Sequence, residues 1–170
     1  GHPLLFAGKK KKFAEKYWAK VEEVFPIWQE EVAKALYEYV RDEIVNAFDD
    51  SGCENAVPVV ASEILECGMA TCDGKVNLLV AMLRCAKIPA GICFQHLTRA
   101  ENDKDGYVLH AFNAIYINTE WVFADARGNK EGIDAQFSVE ETKLAYECRD
   151  EYDEYFVNGI YYAPSEEAME

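Results

Sequence analysis

No run of about twenty apolar residues occurs in this chain, so no helix of it is expected to cross a membrane. The N-terminal lysines are followed by neither an apolar h-region nor a small-residue cleavage site, so the chain is expected to be unsecreted. Gly1-His2 reads as what is left of a cleaved expression tag. Positive charge is scarce: seventeen Lys and Arg stand against thirty-one Asp and Glu, a net charge of -14 that repels a phosphate backbone and argues against a nucleic-acid partner. The one basic run, Lys9 to Lys12, is too short to reverse that and reads as a solvated approach to the first helix. Six unevenly spaced cysteines are too few for a disulfide scaffold and are read as reduced, which places the chain in the cytoplasm. No internal repeat or low-complexity linker divides the sequence.

What the chain does have is apolar bulk. Half of its 170 residues are apolar, with three Trp, ten Tyr and nine Phe, enough to fill the core of one domain over 1–170. Residues 1–12 are set aside as tag remnant and flexible lead-in.

The hydrophobic period is helical from Lys11 to about Ala47. Trp18, Val21, Val24 and Phe25 form a stripe before Pro26, and Val32, Ala35, Leu36, Tyr39 and Val40 continue one after it. Pro26 is expected to divide or kink this helix. Phe48-Asp49-Asp50-Ser51-Gly52 supplies a turn, Asn55 to Pro58 prolongs the irregular segment, and a short helix is expected over about Val59 to Cys67, with Val60, Ile64 and Leu65 on one face.

A central helix follows from about Cys72 to Lys87. Val76, Leu79, Val80 and Leu83 have the spacing of a core-facing stripe, Thr71 can cap the start, and Asp73 and Arg84 suit the two ends of the dipole. Beyond Ile88-Pro89-Ala90 the period becomes that of strands: Gly91 to Thr98, Tyr107 to Ile117 and Trp121 to Ala126, the last two joined by a tight turn at Asn118-Thr119-Glu120. Arg99 to Gly106 is polar and is expected to be a mobile loop near a site. Ser138 with Glu141 has the form of a capping box, so a helix is expected over Ser138 to Tyr146, and Tyr161-Tyr162-Ala163-Pro164 is a candidate closing strand.

Cys72 stands where a turn of small residues enters the central helix. A free thiol is mostly protonated at neutral pH, and a helix N-terminus and a nearby imidazolium both favour the nucleophilic thiolate. Cys72 has the first by position, and its backbone N–H could also face an oxyanion formed when an acyl group is attacked. Of the three histidines, His2 belongs to the tag, which leaves His96 and His110 as partners. His110 lies in a strand whose hairpin mate carries Asp125, an acid costly to bury among apolar residues unless a donor such as a histidine N–H meets it. Straight pairing through a three-residue turn puts Asp125 nearest Asn113, so a bulge or strong twist is required to reach His110.

This ordered set resembles the transglutaminase-like superfamily, whose fold is similar to that of papain-type thiol enzymes. The resemblance is carried by Cys72, Arg84, Ile88-Pro89-Ala90, His110-Ala111-Phe112, Trp121 and Asp125, and covers roughly 39–137, including Tyr39-Val40-Arg41-Asp42-Glu43-Ile44 upstream and Asp125-Ala126-Arg127-Gly128-Asn129 downstream. It implies Cys72 as nucleophile, His110 as general base and acid, and Asp125 as the orienting acid, with the strands bringing His110 and Asp125 together. Ala126-Arg127 stands where many members have proline and threonine, which points to a small microbial branch. The calcium-binding and accessory domains of the animal cross-linking enzymes have no room in 170 residues, so neither calcium nor any other cofactor is implied. Glu66, six residues before Cys72, sits where papain-type enzymes place a glutamine, but an ionised glutamate is a poor oxyanion donor.

Each of these residues has a plainer reading. Cys53, Cys67, Cys85, Cys93 and Cys148 are taken as core or incidental, Cys67 being the rival nucleophile; Trp121 and Phe112 as core; Arg127 and Asn129 as braces of the loop after Asp125. Cys93-x-x-His96 with Cys67 and Cys72 gives half of a zinc site without a second pair. The expectation is therefore an α+β domain with helices packed on a small antiparallel sheet. Its activity is thiol-dependent acyl transfer on a peptide, protein or small amide, with water the favoured acceptor and an amine the lesser one. The rivals are a silent binding or scaffold module of the same fold, and a zinc-stabilised domain. Oligomeric state is not legible.

Overall fold

The computed structural model describes residues 9–49, 57–100 and 102–163. Gly1-His2, Asp50 to Gly52, Cys53, Asn55-Ala56 and Pro164 lie outside the described residues, as do the side chains of Lys9 to Lys12, Trp18, Val21, Val24, Phe25 and Pro26.

A long helix α1 (Lys9–Glu43) is followed by a two-residue strand β1 (Val45–Asn46), a short helix α2 (Ala61–Cys67), a second two-residue strand β2 (Met69–Ala70) and the central helix α3 (Cys72–Cys85). The chain then enters a four-stranded antiparallel sheet of β3 (Ala90–Ala100), β4 (Asn102–Ile117), β5 (Glu120–Ala124) and β6 (Tyr155–Phe156), in spatial order β5-β4-β3-β6. This is the expected α+β arrangement, helices packed on a curled antiparallel sheet.

The helix α3 forms where its caps and stripe place it. Thr71 is the N-cap, its hydroxyl accepting from the Gly74 N–H at 3.3 Å, and Val76, Leu79, Val80 and Leu83 are all buried against the sheet residues Ile92, Phe94, Ala111 and Ile115. Gly74 permits the first turn to approach its neighbours: a Cβ there would lie 2.9 Å from the Ala70 Cβ and 3.1 Å from Ile64 Cδ1.

Several expectations are corrected by pairing between distant segments. The helix α1 runs through Pro26 as one element. Its buried face is Ala33, Tyr37, Val40 and Ile44, while Ala35 and Tyr39 are exposed, because Tyr37 is drawn inward to donate its hydroxyl to the Asp125 carbonyl at 3.0 Å. On α2 only Ile64 is buried, and Val60 and Leu65 face outward. The polar stretch expected as a loop is strand: β3 and β4 pair past Thr98 and Tyr107 to Ala100 and Asn102, since the ladder satisfies backbone groups whatever the side chains. Asn118 and Thr119 alone make the β4–β5 turn, both at positive φ (51° and 68°), the two-residue geometry that suits strand twist.

The capping box does not start a helix. The Ser138 hydroxyl accepts from the Glu140 and Glu141 N–H groups at 3.2 and 3.1 Å, but the chain then turns back, with the Gln136 N–H bonded to the Lys143 carbonyl at 3.0 Å. The local signal was real, and tertiary pairing outcompeted its continuation. The closing strand is Tyr155–Phe156 on β3, while Tyr161 makes only an isolated bridge to Ile92.

Candidate active site

Three elements converge on Cys72. The parallel pair of β1 and β2 aligns Asn46 with Ala70, two residues before the cysteine, through Val45 N–H to Gly68 O and Ala47 N–H to Ala70 O, both 2.9 Å. Cys72 opens α3 and is half-buried. Against it stand His110 on β4 and Asp125, the first residue after β5.

His110 Nε2 lies 2.7 Å from Asp125 Oδ2, with both side chains buried. The register explains how they meet. Asn113 pairs with Ala124, so one further step would set Asp125 opposite Phe112, on the same side of the sheet as His110. The pair is thus a diagonal one across adjacent strands, and because β5 ends at Ala124 the acid is free to lean along β4 without a bulge. Asp125 is held further by backbone donors: Arg127 N–H to Oδ1 at 3.1 Å and Ala145 N–H to Oδ2 at 3.2 Å.

Burial by itself would push the His110 imidazole pKa down. Hydrogen bonds to Asp125 and to Cys72 outweigh it and leave the pKa raised, at about 9. With Nε2 committed to Asp125, Nδ1 is the nitrogen left for the thiol. The Tyr146 ring meets His110 edge-on, with centroids 4.9 Å apart and planes at 89°. The strap carrying it is tied down by Gln95 Nε2 donating to the Tyr146 carbonyl at 3.0 Å.

The loop after Asp125 is braced as expected. The Arg127 guanidinium grips both oxygens of Asp49 at 2.8 and 3.0 Å, and those hydrogen bonds, with Lys130 adding another, hold the Asp49 carboxyl down at about 2. Asn129 exchanges two hydrogen bonds with the Ala135 backbone.

The family model described as the Transglutaminase-like superfamily matches residues 12–126. The chain belongs to the transglutaminase-like superfamily. The matched span begins well before Tyr39 and ends one residue past Asp125. Among solved structures, the "Putative Cysteine Protease from Cytophaga hutchinsonii" is 20% identical with a TM-score of 0.44, over 56% of this chain and 30% of that one. A "TGase" is 17% identical with a TM-score of 0.40, over 80% of this chain and 42% of that one. The chain therefore spans less than half the length of either. No curated protein matches.

The other described cysteines differ from Cys72 in setting. Cys67 and Cys85 are exposed, Cys148 is half-buried, and Cys93 is buried on β3, where desolvation raises its thiol pKa to about 11. Among the described residues no group of three or more His, Cys, Asp and Glu side chains converges as a zinc site requires. His96 instead stacks between Tyr107 and Tyr155, at centroid distances of 4.3 and 4.6 Å. Phe112 is core, but Trp121 is 43% exposed on the outer strand β5. Glu66 is exposed on α2.

Two further residues stand at the site. Lys75 is 1% exposed, and its ammonium donates to the carbonyls of Ile44 (2.6 Å), Arg127 (3.0 Å) and Arg41 (3.1 Å), so it pins the end of α1 and the Asp125 loop to α3. Burial lowers its pKa to about 8 despite the nearby Cys72 and carboxylates. A lysine on the core-facing side of an apolar helix was the available signal. Asn46 is the second: its Nδ2 lies 3.4 Å from the Cys72 Sγ. It had no comparable signal, because the contact spans 26 residues of sequence.

Proposed function

We propose that this domain carries out thiol-dependent acyl transfer from an amide, with Cys72 as nucleophile, His110 as general base and acid, and Asp125 as the group that orients His110. The observation that carries this is the continuous contact from the Cys72 thiol through His110 to a buried Asp125, with the imidazole held as a strong base by both neighbours. The Cys72 sulfur, its proton on His110, attacks the carbonyl carbon. The C=O electron pair moves to oxygen, then returns as the C–N bond breaks, and the imidazolium proton goes to the departing amine. The product is a Cys72 thioester. His110 next takes a proton from water, whose oxygen attacks the thioester, and the thiol leaves with that proton while the acyl group departs as a carboxylic acid.

Hydrolysis of a peptide, protein or small amide is the favoured outcome, and an amine taking the same thioester gives cross-linking or transfer. No metal or organic cofactor is needed for these steps. We place the activity in one domain of a cytoplasmic protein.

Limiting iodoacetamide near pH 6, followed by peptide mapping, tests the proposal. Cys72 should be alkylated ahead of the other five cysteines, and His110→Ala should erase that preference. Equal slow labelling of all six would remove the thiol reading. A screen of acyl-amide and glutamine-peptide substrates against Cys72→Ala then identifies acceptor and substrate.

A further inference from the structure

We infer that Asn46 is the side-chain donor of the oxyanion hole, acting with the backbone N–H of Cys72; the assignment rests on the acyl-transfer chemistry proposed above. Asn46 is 4% exposed, and its amide is fixed by two backbone partners. Oδ1 accepts the Phe48 N–H at 3.0 Å, and Nδ2 donates to the Arg127 carbonyl at 3.1 Å. Turning the amide over would set Nδ2 against an N–H and Oδ1 against a carbonyl, so the hydrogen-bond network selects one orientation. In that orientation one Nδ2 hydrogen serves Arg127 and the other points at the Cys72 sulfur, 3.4 Å away.

That second hydrogen has a use when an acyl group is attacked. As the Sγ–C bond forms, the carbonyl π pair moves to oxygen, and the new oxyanion sits one bond from the carbon now joined to Sγ. A donor already beside the sulfur is close to that oxygen and need not move far to meet it. The Cys72 N–H is the second donor, since the first amides of a helix have no intrahelical acceptor. Both are held before the substrate arrives, by the β1–β2 pair and by the Thr71 cap, and such preorganisation is what makes a donor effective. When the C=O re-forms and the leaving group departs, the same donors release a neutral carbonyl. Glu66, on the exposed side of α2, is not needed.

The test compares two reactions of the same thiol. Acylation by p-nitrophenyl acetate, read as a nitrophenolate burst, passes through an oxyanion. Alkylation by iodoacetamide displaces iodide from a saturated carbon and does not. In Asn46→Ala the acylation rate should fall about 10²- to 10³-fold. Alkylation of Cys72 should fall by less than about tenfold, because losing the donor lowers the thiolate fraction but leaves the remaining thiolate more nucleophilic. Asn46→Ser should behave alike; its hydroxyl can still accept the Phe48 N–H and preserve the turn, but it carries no amide to reach the sulfur. Variants that lose both reactions in step would show Asn46 to be structural, and variants that lose neither would show it idle; either result overturns the assignment. A wild-type chain with neither preferential alkylation nor a burst would overturn the thiol chemistry itself, and the assignment with it.

Discussion

Replacing Asp125 by Asn isolates what the buried carboxylate does for His110. The imidazole pKa stands at about 9 against an ordinary 6.5, although burial opposes protonation. That rise corresponds to about 3 kcal/mol in favour of the imidazolium. Asn keeps an oxygen for the Arg127 N–H but loses the charge that faces Nε2 at 2.7 Å. Burial is then opposed mainly by the hydrogen bond to Cys72, and the His110 pKa should fall clearly below its wild-type value. Between pH 6.5 and 9 the folded wild type holds a proton on His110 that the unfolded chain has lost, so this contribution is complete below 6.5 and disappears as pH rises through 9. Lys75, depressed to about 8, works the other way above that pH, so the clean window is 6.5 to 8. Urea unfolding across that window should show wild-type stability falling with pH, and the variant falling less steeply. Imidazole titration by NMR gives the pKa directly. A wild-type His110 titrating at or below 6.5, or a variant with an unchanged value, would refute the reasoning.

Lys75→Met removes the donor shared by Arg41, Ile44 and Arg127 carbonyls, and should destabilise the fold by about 1 to 3 kcal/mol in urea titrations at pH 7, the cost of leaving buried acceptors unpaired. Gly74→Ala should cost about 1 to 3 kcal/mol by overpacking against Ala70 and Ile64. Gly68→Ala meets nothing within 4 Å, but its φ of +71° should still cost about 1 to 2 kcal/mol as backbone strain; equal effects of the two on thiol reactivity would argue against a special role for the α3 turn. The Asp49 carboxyl, held at about 2 by Arg127, contributes stability above its unfolded pKa near 3.8 that is lost as pH falls toward 2, so Arg127→Ala should shallow the acid limb of the unfolding curve.

The cysteine turn and the α3 stripe are carried by short-range patterns and stand where those patterns place them, whereas the His110–Asp125 contact needed the two-residue turn at Asn118 and Thr119, which moves Asp125 one step closer to His110 than a three-residue turn would. The departures from local pattern share a cause. Ser138 does cap a turn, yet the chain leaves it to lay Ala145 and Tyr146 on Asp125 and His110, partners that local propensity does not register. The buried face of α1 departs from its apolar stripe for a similar reason, since Tyr37 is buried by its bond to Asp125, 88 residues away.

Periodicity, capping and turn chemistry in the sequence by itself were enough to determine an α+β domain with a cysteine at a helix start and a histidine and an aspartate on neighbouring strands. These are interactions between residues a few positions apart, and they leave their mark in composition and spacing. Only the tertiary structure decided that Asn46 stands beside the sulfur, that Lys75 ties three segments behind it, and that the Tyr146 ring packs edge-on against the histidine. Such contacts join groups that must be buried to groups that can satisfy them, and the match exists only once the sheet and helices have brought distant segments into one place.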